Sequence, residues 1–379
     1  MPKVDMRKLF YNFPLTDHHG WGVYGSNLLL QGYKNANFKP IPINWPPSFL
    51  YPVDPITHNI LKANEASWGN GLSAEDGDLM LSAFGNEVIK QDVSKKMVEV
   101  GVTFFEQNPL PVSEIKKLKT FNAIIVGSSW NKNSLSSMGI DSQLVIQGID
   151  TDLFRPQAKR YLIDKFVVFS GGKLEFRKGQ DILLKAFSLF AKTRPDALLI
   201  TAWRSPWEKS IATSLNQSEV CYPIVSEDNF SKSLSNWILK NGVHQNQFLN
   251  MEAISNRLMP DVFREVDLAV FPNRCEGGTN LVAMEALSSG ILCAISNNTG
   301  HQDIIKNNNC IVLKEQKSVK GSDHYQDWGE SSVDEIVAVL ESAYKNRGPK
   351  QNDSIRDSVT DFSWKNSINN LLQILNQYK

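Results

Sequence analysis

Short apolar runs alternate with segments of helical period along the whole chain. In the first half, Lys8–Phe13, Leu79–Phe84, Val98–Phe105, Ala123–Val126 and Leu144–Ile146 are brief and rich in Val, Ile, Phe or Leu, and predict strands. Segments near Tyr24–Gln31, Val112–Lys117 and Trp130–Met138 predict helices between them. The second half repeats the theme more clearly. Phe166–Ser170 predicts a strand, and Gly179–Lys192 a helix with Ile182, Leu183, Ala186 and Phe187 on one stripe. Ala197–Ala202, Leu268–Phe271, Leu292–Ser296 and Ile311–Leu313 predict further strands. Alternation of this kind implies parallel sheets joined by right-handed crossovers.

The length of 379 residues exceeds what one hydrophobic core serves, about 250–300 residues, so two domains are expected. The polar stretch Gln147–Lys165, with Pro156, precedes a fresh strand and carries the boundary. The expected division is 1–155, 156–360, and a last amphipathic helix in 361–379 that returns toward the N-terminal domain. That helix, within Phe362–Tyr378, gathers Trp364, Ile368, Leu371, Leu372, Ile374 and Leu375 toward one side. Glu208–Asn229 and Lys320–Ser332 lack clear periodicity and read as loops.

Composition narrows the function. With 41% apolar and 21% charged residues the chain is of ordinary globular type. Lys plus Arg balance Asp plus Glu at 40 each, which speaks against a broad nucleic-acid footprint but not against a local pocket for one diphosphate. The four cysteines, Cys221, Cys275, Cys293 and Cys310, form no C-x-x-C pair and suggest a reducing compartment without structural zinc. The N-terminal residues lack a signal peptide's apolar core, and no run reaches the roughly eighteen apolar residues of a membrane span. A soluble, cytoplasmic protein is expected, and a peripheral membrane contact is compatible with the sequence.

Four segments could carry chemistry. In FSGGKLEFRKGQDILLKAF, Phe169–Phe187, a strand ends, Gly171 and Gly172 follow, and a helix opens at Gly179. Helix starts attract anions, and Lys173 and Lys178 flank the turn; the alternative is a pair of solvated surface lysines. In Val266–Ser296 a buried strand ends at Pro272, and a loop with Glu276, Gly277, Gly278 and Thr279 leads into a helix carrying Glu285. The amides of Asn280 and Leu281 stand at the helix start, where N–H groups lack helical partners. A carboxylate accepts two hydrogen bonds, which suits a vicinal diol. Glu285 sits among Val282, Ala283, Met284, Ala286 and Leu287, a poor place for an idle surface charge.

The third segment, Thr16–Gly32, holds Gly20, Gly22 and Gly25 as G-x-G-x-x-G, without the acidic residue a nicotinamide site would add some twenty positions later. His18 and His19 beside it are either acid–base groups or ordinary loop histidines. The fourth, Val100–Pro111, places Glu106 at a strand's end. Ser128, Ser129 and Trp130 read as a helix cap with an apolar anchor. The two D-x-D triplets, Asp76/Asp78 and Asp150/Asp152, read as structural, so lysines and helix-start amides are the better diphosphate binders and metal-free chemistry is favoured.

The stretches VIQGIDTDLFRP, FSGGKLEFRKGQDILLKAF and DLAVFPNRCEGGTNLVAMEALSSG resemble, in order and spacing, the motifs of glycosyltransferase family 4. The resemblance covers most of residues 120–379. It implies an α/β fold of GT-B type, with two Rossmann-like parallel-sheet domains facing across a cleft, and a hexosyltransferase-type enzyme that retains anomeric configuration without a metal or other cofactor. It assigns Lys173 and Lys178 to the donor diphosphate, Glu276 to the transferred sugar and Glu285 to the ribose hydroxyls. Asn280 and Leu281 would meet sugar or phosphate, and His301 and Asp303 fall in a loop near the sugar. Two departures matter: Lys173 stands where the family usually has Arg, and eight residues rather than seven separate Glu276 from Glu285.

The expectations are therefore specific. Lys173, Lys178 and Glu276 are the catalytic candidates. Gly22, Gly172, Gly278, Thr279, Asn280, Leu281 and Glu285 join them in donor binding. His18, His19, Glu106 and His301 are acceptor-side candidates, and no residue is assigned to a metal. The partners are a nucleotide-sugar donor and a glycan, lipid-linked or small-molecule hydroxyl acceptor, with no nucleic acid. Two rival readings remain. One is a nucleotide-sugar epimerase or a phosphorylase on the same fold; the other is a non-catalytic sugar-nucleotide or glycan-binding protein.

Overall fold

The apolar runs lie side by side in two all-parallel sheets. The computed structural model describes residues 6–34, 37–43, 46–63, 74–91, 97–204, 212–225, 229–306, 308–348 and 352–378. In the first sheet the strands are β1 (Arg7–Tyr11), β2 (Phe38–Pro42), β3 (Leu79–Phe84), β4 (Val98–Thr103), β5 (Ala123–Val126) and β6 (Gln143–Leu144), in the spatial order β2-β1-β3-β4-β5-β6. The helices α1 (Gly20–Gly32), α2 (Pro55–Ala63), α3 (Val112–Leu118) and α4 (Ser129–Ser137) connect them. Periodicity does not mark β2, FKPIP, because two prolines break its pattern. It is an edge strand, where a missing N–H costs the ladder little, and Pro40 and Pro42 pair with Leu9 and Tyr11.

The second sheet contains β7 (Phe166–Gly171), β8 (Ala197–Ala202), β9 (Phe248–Asn250), β10 (Leu268–Phe271), β11 (Leu292–Ser296) and β12 (Ile311–Leu313), ordered β12-β11-β10-β7-β8-β9. The helices α5 (Gln180–Ala191), α6 (Phe230–Lys240), α7 (Met259–Phe263), α8 (Leu281–Ser288), α9 (Val333–Lys345) and α10 (Asp353–Asp357) accompany it. Its central strands β7, β8 and β10 are buried on both faces, which is why they read as continuous apolar runs rather than alternating ones. Phe166, Val168, Phe187, Phe190, Leu199, Trp237 and Leu340 belong to one hydrophobic cluster there. The stretch Lys320–Ser332, expected as a loop, ends in a strand. Its β14 (Gly329–Ser331) pairs antiparallel with β13 (Gln316–Ser318), a hairpin too polar for periodicity to reveal. The expected Glu208–Asn229 loop lies partly outside the described residues; within it Thr213–Gln217 forms a 3-10 turn.

The chain divides into two units, Met1–Ile149 with Ser255–Arg257 and Asp361–Lys379, and Asp150–Ile254 with Leu258–Thr360. The last helix, α11 (Trp364–Leu375), thus completes the first unit. Trp364 N–H donates to the Ile149 carbonyl at 3.1 Å, and Ser367 Oγ to that of Ile146 at 2.6 Å. The Trp364 ring stacks on Tyr24 of α1 with centroids 5.3 Å apart. Only glycine fits at Gly148, since a Cβ there would lie 2.4 Å from the Trp364 Cα.

Candidate active site

In the second unit the chain runs from β7 outward through β8 and β9, then crosses to the other side of β7 to begin β10. Between β7 and β10 the strand order reverses. Open α/β sheets bind ligands at such a switch point, at the carboxyl ends of the strands. Three connections leave the sheet at that edge: Gly172–Gly179 after β7, Pro272–Asn280 after β10, and Asn297–Asp303 after β11. They hold most of the candidates named from sequence.

The first connection closes on a 3-10 turn, Phe176–Lys178, and enters α5 through Gly179 at φ 67°. A side chain at Gly179 would be strained and would place its Cβ 2.1 Å from the Pro272 carbonyl. This close approach docks the turn on the second connection. Arg177 accepts there through its carbonyl, from Arg274 N–H at 2.7 Å.

Glu276 is buried at the centre. Its carboxylate pairs with Lys178 Nζ and accepts from Asn273 Nδ2, and Arg177 Nη1 approaches at 3.2 Å. Its backbone N–H donates to Thr299 Oγ1 at 2.8 Å, and its carbonyl accepts from Gly300 N–H at 3.0 Å, which brings in the third connection. Burial pushes the Glu276 carboxyl up, but Lys178 and then Arg177 outweigh it and hold it down at about 2. Burial also draws the Lys178 ammonium below its usual range, against the pull of Glu276. Glu276 is therefore a carboxylate at neutral pH. Lys173, by contrast, is the more exposed lysine, with Nζ 3.7 Å from Glu175 Oε1. A Cβ at Gly172 would lie 3.5 Å from Lys178 Cε, so Gly172 lies alongside that side chain.

The loop 277–280 enters α8 through Asn280, at φ 64° and ψ 87°. Asn280 Oδ1 accepts from Ala283 N–H at 3.4 Å, and its Nδ2 meets His301 Nε2 at 3.0 Å. His301 Nδ1 lies 2.9 Å from Ser296 Oγ, whose hydroxyl donates to the Asn273 carbonyl at 2.8 Å. The single Ser296 hydrogen is thereby used, so His301 donates through Nδ1 and accepts at Nε2. Thr279 Oγ1 donates to Met284 Sδ at 3.1 Å, and Glu285 is buried on α8.

His301 is fully buried, and desolvation lowers its pKa to about 4. A folded value below the unfolded 6.5 means stability is whole above pH 6.5 and is lost as pH falls through 4. The loss amounts to about 3 kcal/mol from this one group. Denaturant melts of the protein and of His301→Asn, run from pH 7 to 4, are expected to converge as the pH drops. Curves that stay parallel would refute the neutral, buried assignment.

Arg274 is a residue that sequence reasoning missed. Its guanidinium is fully buried, paired with both Asp181 oxygens at 2.8 and 2.7 Å and with Glu330 of β14 at 2.7 Å. It also donates to the Phe176 carbonyl at 2.7 Å and lies over the Phe176 ring at 3.9 Å. Asn298 Nδ2 likewise joins the Asn273 and Gly329 carbonyls. The three connections and the hairpin are thus tied by polar side chains whose partners lie far apart in sequence.

The remaining candidates lie in the first unit. His19 Nδ1 accepts from Gly22 N–H at 3.2 Å and caps α1. His18 Nδ1 is 3.4 Å from Asp17, whose carboxylate accepts from Leu50 N–H at 2.9 Å. Gly22 packs on Thr16, where a Cβ would lie 1.9 Å from Oγ1; this glycine serves helix packing. Glu106 follows β4, its N–H donating to Asn86 Oδ1 at 2.7 Å. Ser128 caps α4 by accepting from Asn131 N–H at 3.1 Å. Asp78 accepts from Glu75 N–H, and Asp150 from Asp152 and Leu153 N–H, in local turns, while Asp78 also accepts from Lys8 N–H, seventy positions away at the start of β1. Asp303 ends the 3-10 turn Thr299–Asp303. Among the described residues no helix is long and apolar enough to cross a membrane.

Several solved structures share this architecture. A glycosyltransferase from Rickettsia africae superposes with a TM-score of 0.66 at 12% identity, over 99% of each chain. Sucrose-phosphate synthase from Thermosynechococcus elongatus gives 0.64 at 14%, over 98% of each. An Anabaena protein solved with UDP and glucose gives 0.64 at 12%, over 98% of this chain and 100% of that one. No curated protein matches in sequence. The fold is GT-B, as the motifs imply. Residues 154–325, most of them in the second unit, match the family model described as glycosyl transferases group 1.

Proposed function

We propose that this protein transfers a sugar from a nucleoside diphosphate to an acceptor hydroxyl with retention of configuration and without a metal. The observation that carries the reading is the gathering of Lys178, Arg177 and Glu276 at the switch point of the second sheet, with Lys173 on the same turn. A diphosphate is the ligand such a set of cations neutralises best. The neighbour solved with UDP and glucose supports a nucleotide-sugar donor, and makes UDP the first nucleotide to try.

In this reading the bond between the anomeric carbon and the diphosphate breaks, and the electron pair leaves with the diphosphate. The charge growing there is stabilised by Lys178 and Lys173. Preorganised donors of this kind contribute roughly 10²–10³-fold each. The acceptor oxygen bonds to the anomeric carbon on the face the phosphate vacates, and its proton passes to the departing phosphate. Glu276 holds Lys178 in place and accepts from a sugar hydroxyl, while Glu285 accepts from the ribose. His18, His19 and Glu106 remain acceptor-side candidates in the first unit. The neutral His301 orients Asn280 at the start of α8.

Thermal melts with UDP, GDP, ADP and their sugars test the proposal. A donor at about a hundred times its Kd stabilises the fold by about 2.7 kcal/mol and raises the melting point. Product analysis is then expected to find free nucleoside diphosphate and a glycosylated acceptor. An isomerised sugar nucleotide or a sugar phosphate would select an epimerase or a phosphorylase instead. Binding without any turnover would leave a non-catalytic binder, and no binding at all would remove the basis of the proposal.

A further inference from the structure

Four non-glycine residues among those described have positive φ, and three of them are Asn or Asp, which tolerate the left-handed region. The fourth is Thr299, at φ 40°, a β-branched residue in a conformation that such side chains rarely adopt. It is buried, in the connection that follows β11. Strain of this kind persists only where the surroundings over-determine it, and it gathers at working sites. The surroundings here are specific. Thr299 Oγ1 accepts from Glu276 N–H at 2.8 Å and donates to Asn298 Oδ1 at 3.0 Å. The next amide, Gly300 N–H, donates to the Glu276 carbonyl at 3.0 Å, so Glu276 is held at both ends of its backbone. A Cβ at Gly300 would lie 1.7 Å from the Gly278 carbonyl oxygen, which shows how closely this turn is pressed against the loop. Behind Thr299, Asn298 Nδ2 reaches Gln316 Oε1 of β13 at 2.7 Å, the Asn273 carbonyl at 2.8 Å and the Gly329 carbonyl of β14 at 3.1 Å. Asn298 is thereby clamped between the hairpin and the connection after β10.

We infer that Thr299 is a positioning residue for Glu276. The hairpin and Asn298 hold its backbone in the strained form, and in that form its hydroxyl fixes the Glu276 peptide, and with it the carboxylate that pairs with Lys178. The inference rests on the nucleotide-sugar reading above and adds to it the device that aims Glu276. Removing the hydroxyl leaves the N–H of a buried residue without its acceptor, and the Glu276 side chain moves as that peptide seeks another partner.

Three variants separate the hydroxyl from the strain: Thr299→Ala, Thr299→Gly and Thr299→Ser. Alanine and glycine both lack the hydroxyl, but only alanine keeps a Cβ at positive φ. The glycine variant is therefore expected to melt about 2–4 °C above the alanine variant, although glycine ordinarily loses more chain freedom on folding. Despite that difference in stability, both are expected to lower kcat by roughly ten-fold with the donor KM within about three-fold, because a displaced group costs the transition state more than the bound ground state. Thr299→Ser keeps the hydroxyl and is expected to restore kcat to within about two-fold of the unaltered protein. A kcat that tracks the melting point, with glycine near the unaltered protein and alanine far below it, would make the role merely structural and overturn the inference. So would a kcat unchanged in both, a serine variant as slow as alanine, or an alanine variant that melts at or above glycine. If the unaltered protein transfers no sugar from any donor, the nucleotide-sugar reading fails and this role falls with it. Every other outcome is read against an active unaltered protein, so the two failures stay distinct.

Discussion

Lys178→Gln is expected to lower sugar turnover by about 10²–10³-fold, the largest effect on activity of any single change at this site. The argument is electrostatic. Lys178 is buried, its ammonium is paired with Glu276, and the pair sits where the leaving diphosphate would gather charge. Glutamine keeps much of the length and one donor for Glu276 but no charge. The loss should therefore fall mainly on kcat, since the interaction strengthens as the bond breaks, and less on the donor KM. Glu276 loses its main counter-charge in the same change, so its carboxyl should rise from its present low value. Near-UV circular dichroism of the variant separates a chemical loss from a folding one. Turnover within ten-fold of the unaltered protein, with the fold intact, would remove Lys178 from the chemistry.

The largest effect on stability is expected from Arg274→Met. Methionine fills similar space, but it leaves the Asp181 carboxylate buried with no cation. Breaking one side of a buried ion pair costs about 3–5 kcal/mol, which in a unit of this size lowers the melting point by roughly 10 °C. Part of the penalty is the stranded charge rather than the lost attraction. The double change Arg274→Met with Asp181→Leu is therefore expected to recover more than half of it. If the double variant melts lower than the single one, the cost lies in the ties to Phe176 and Glu330 and not in the stranded carboxylate. Because the Arg274 guanidinium also fastens the turn that carries Arg177 and Lys178, through the Phe176 carbonyl, the single variant should also bind donor less well.

Legibility from sequence followed burial. Strands such as Leu79–Phe84 and Leu268–Phe271 were visible because both faces are covered and nearly every position is apolar, Ser82 excepted. The edge strands β2 and β9 were not, one because of its prolines and the other because three residues carry no period. At the site, the glycine and helix-start pattern pointed to Lys178, Glu276 and Asn280, since the residue types alone suit an anion beside a strand end. Arg274 gave no such signal. Its partner Asp181 lies ninety-three positions away, and only the fold brings them together. That Lys178 is buried against Glu276 while Lys173 is the more exposed lysine is likewise a product of the fold, and neighbouring charges in a sequence do not encode it.

The way α11 rejoins the first unit bears on how the chain is made. Residues 150–254 and 258–360 interrupt that unit, and its last layer comes from Trp364–Leu375. As the chain emerges from the ribosome, Tyr24 and Gly148 wait uncovered while more than two hundred residues of the second unit are synthesised. The six strands of the first sheet are thus made early, yet the layer that seals them comes only with Trp364–Leu375, after the whole of the second unit.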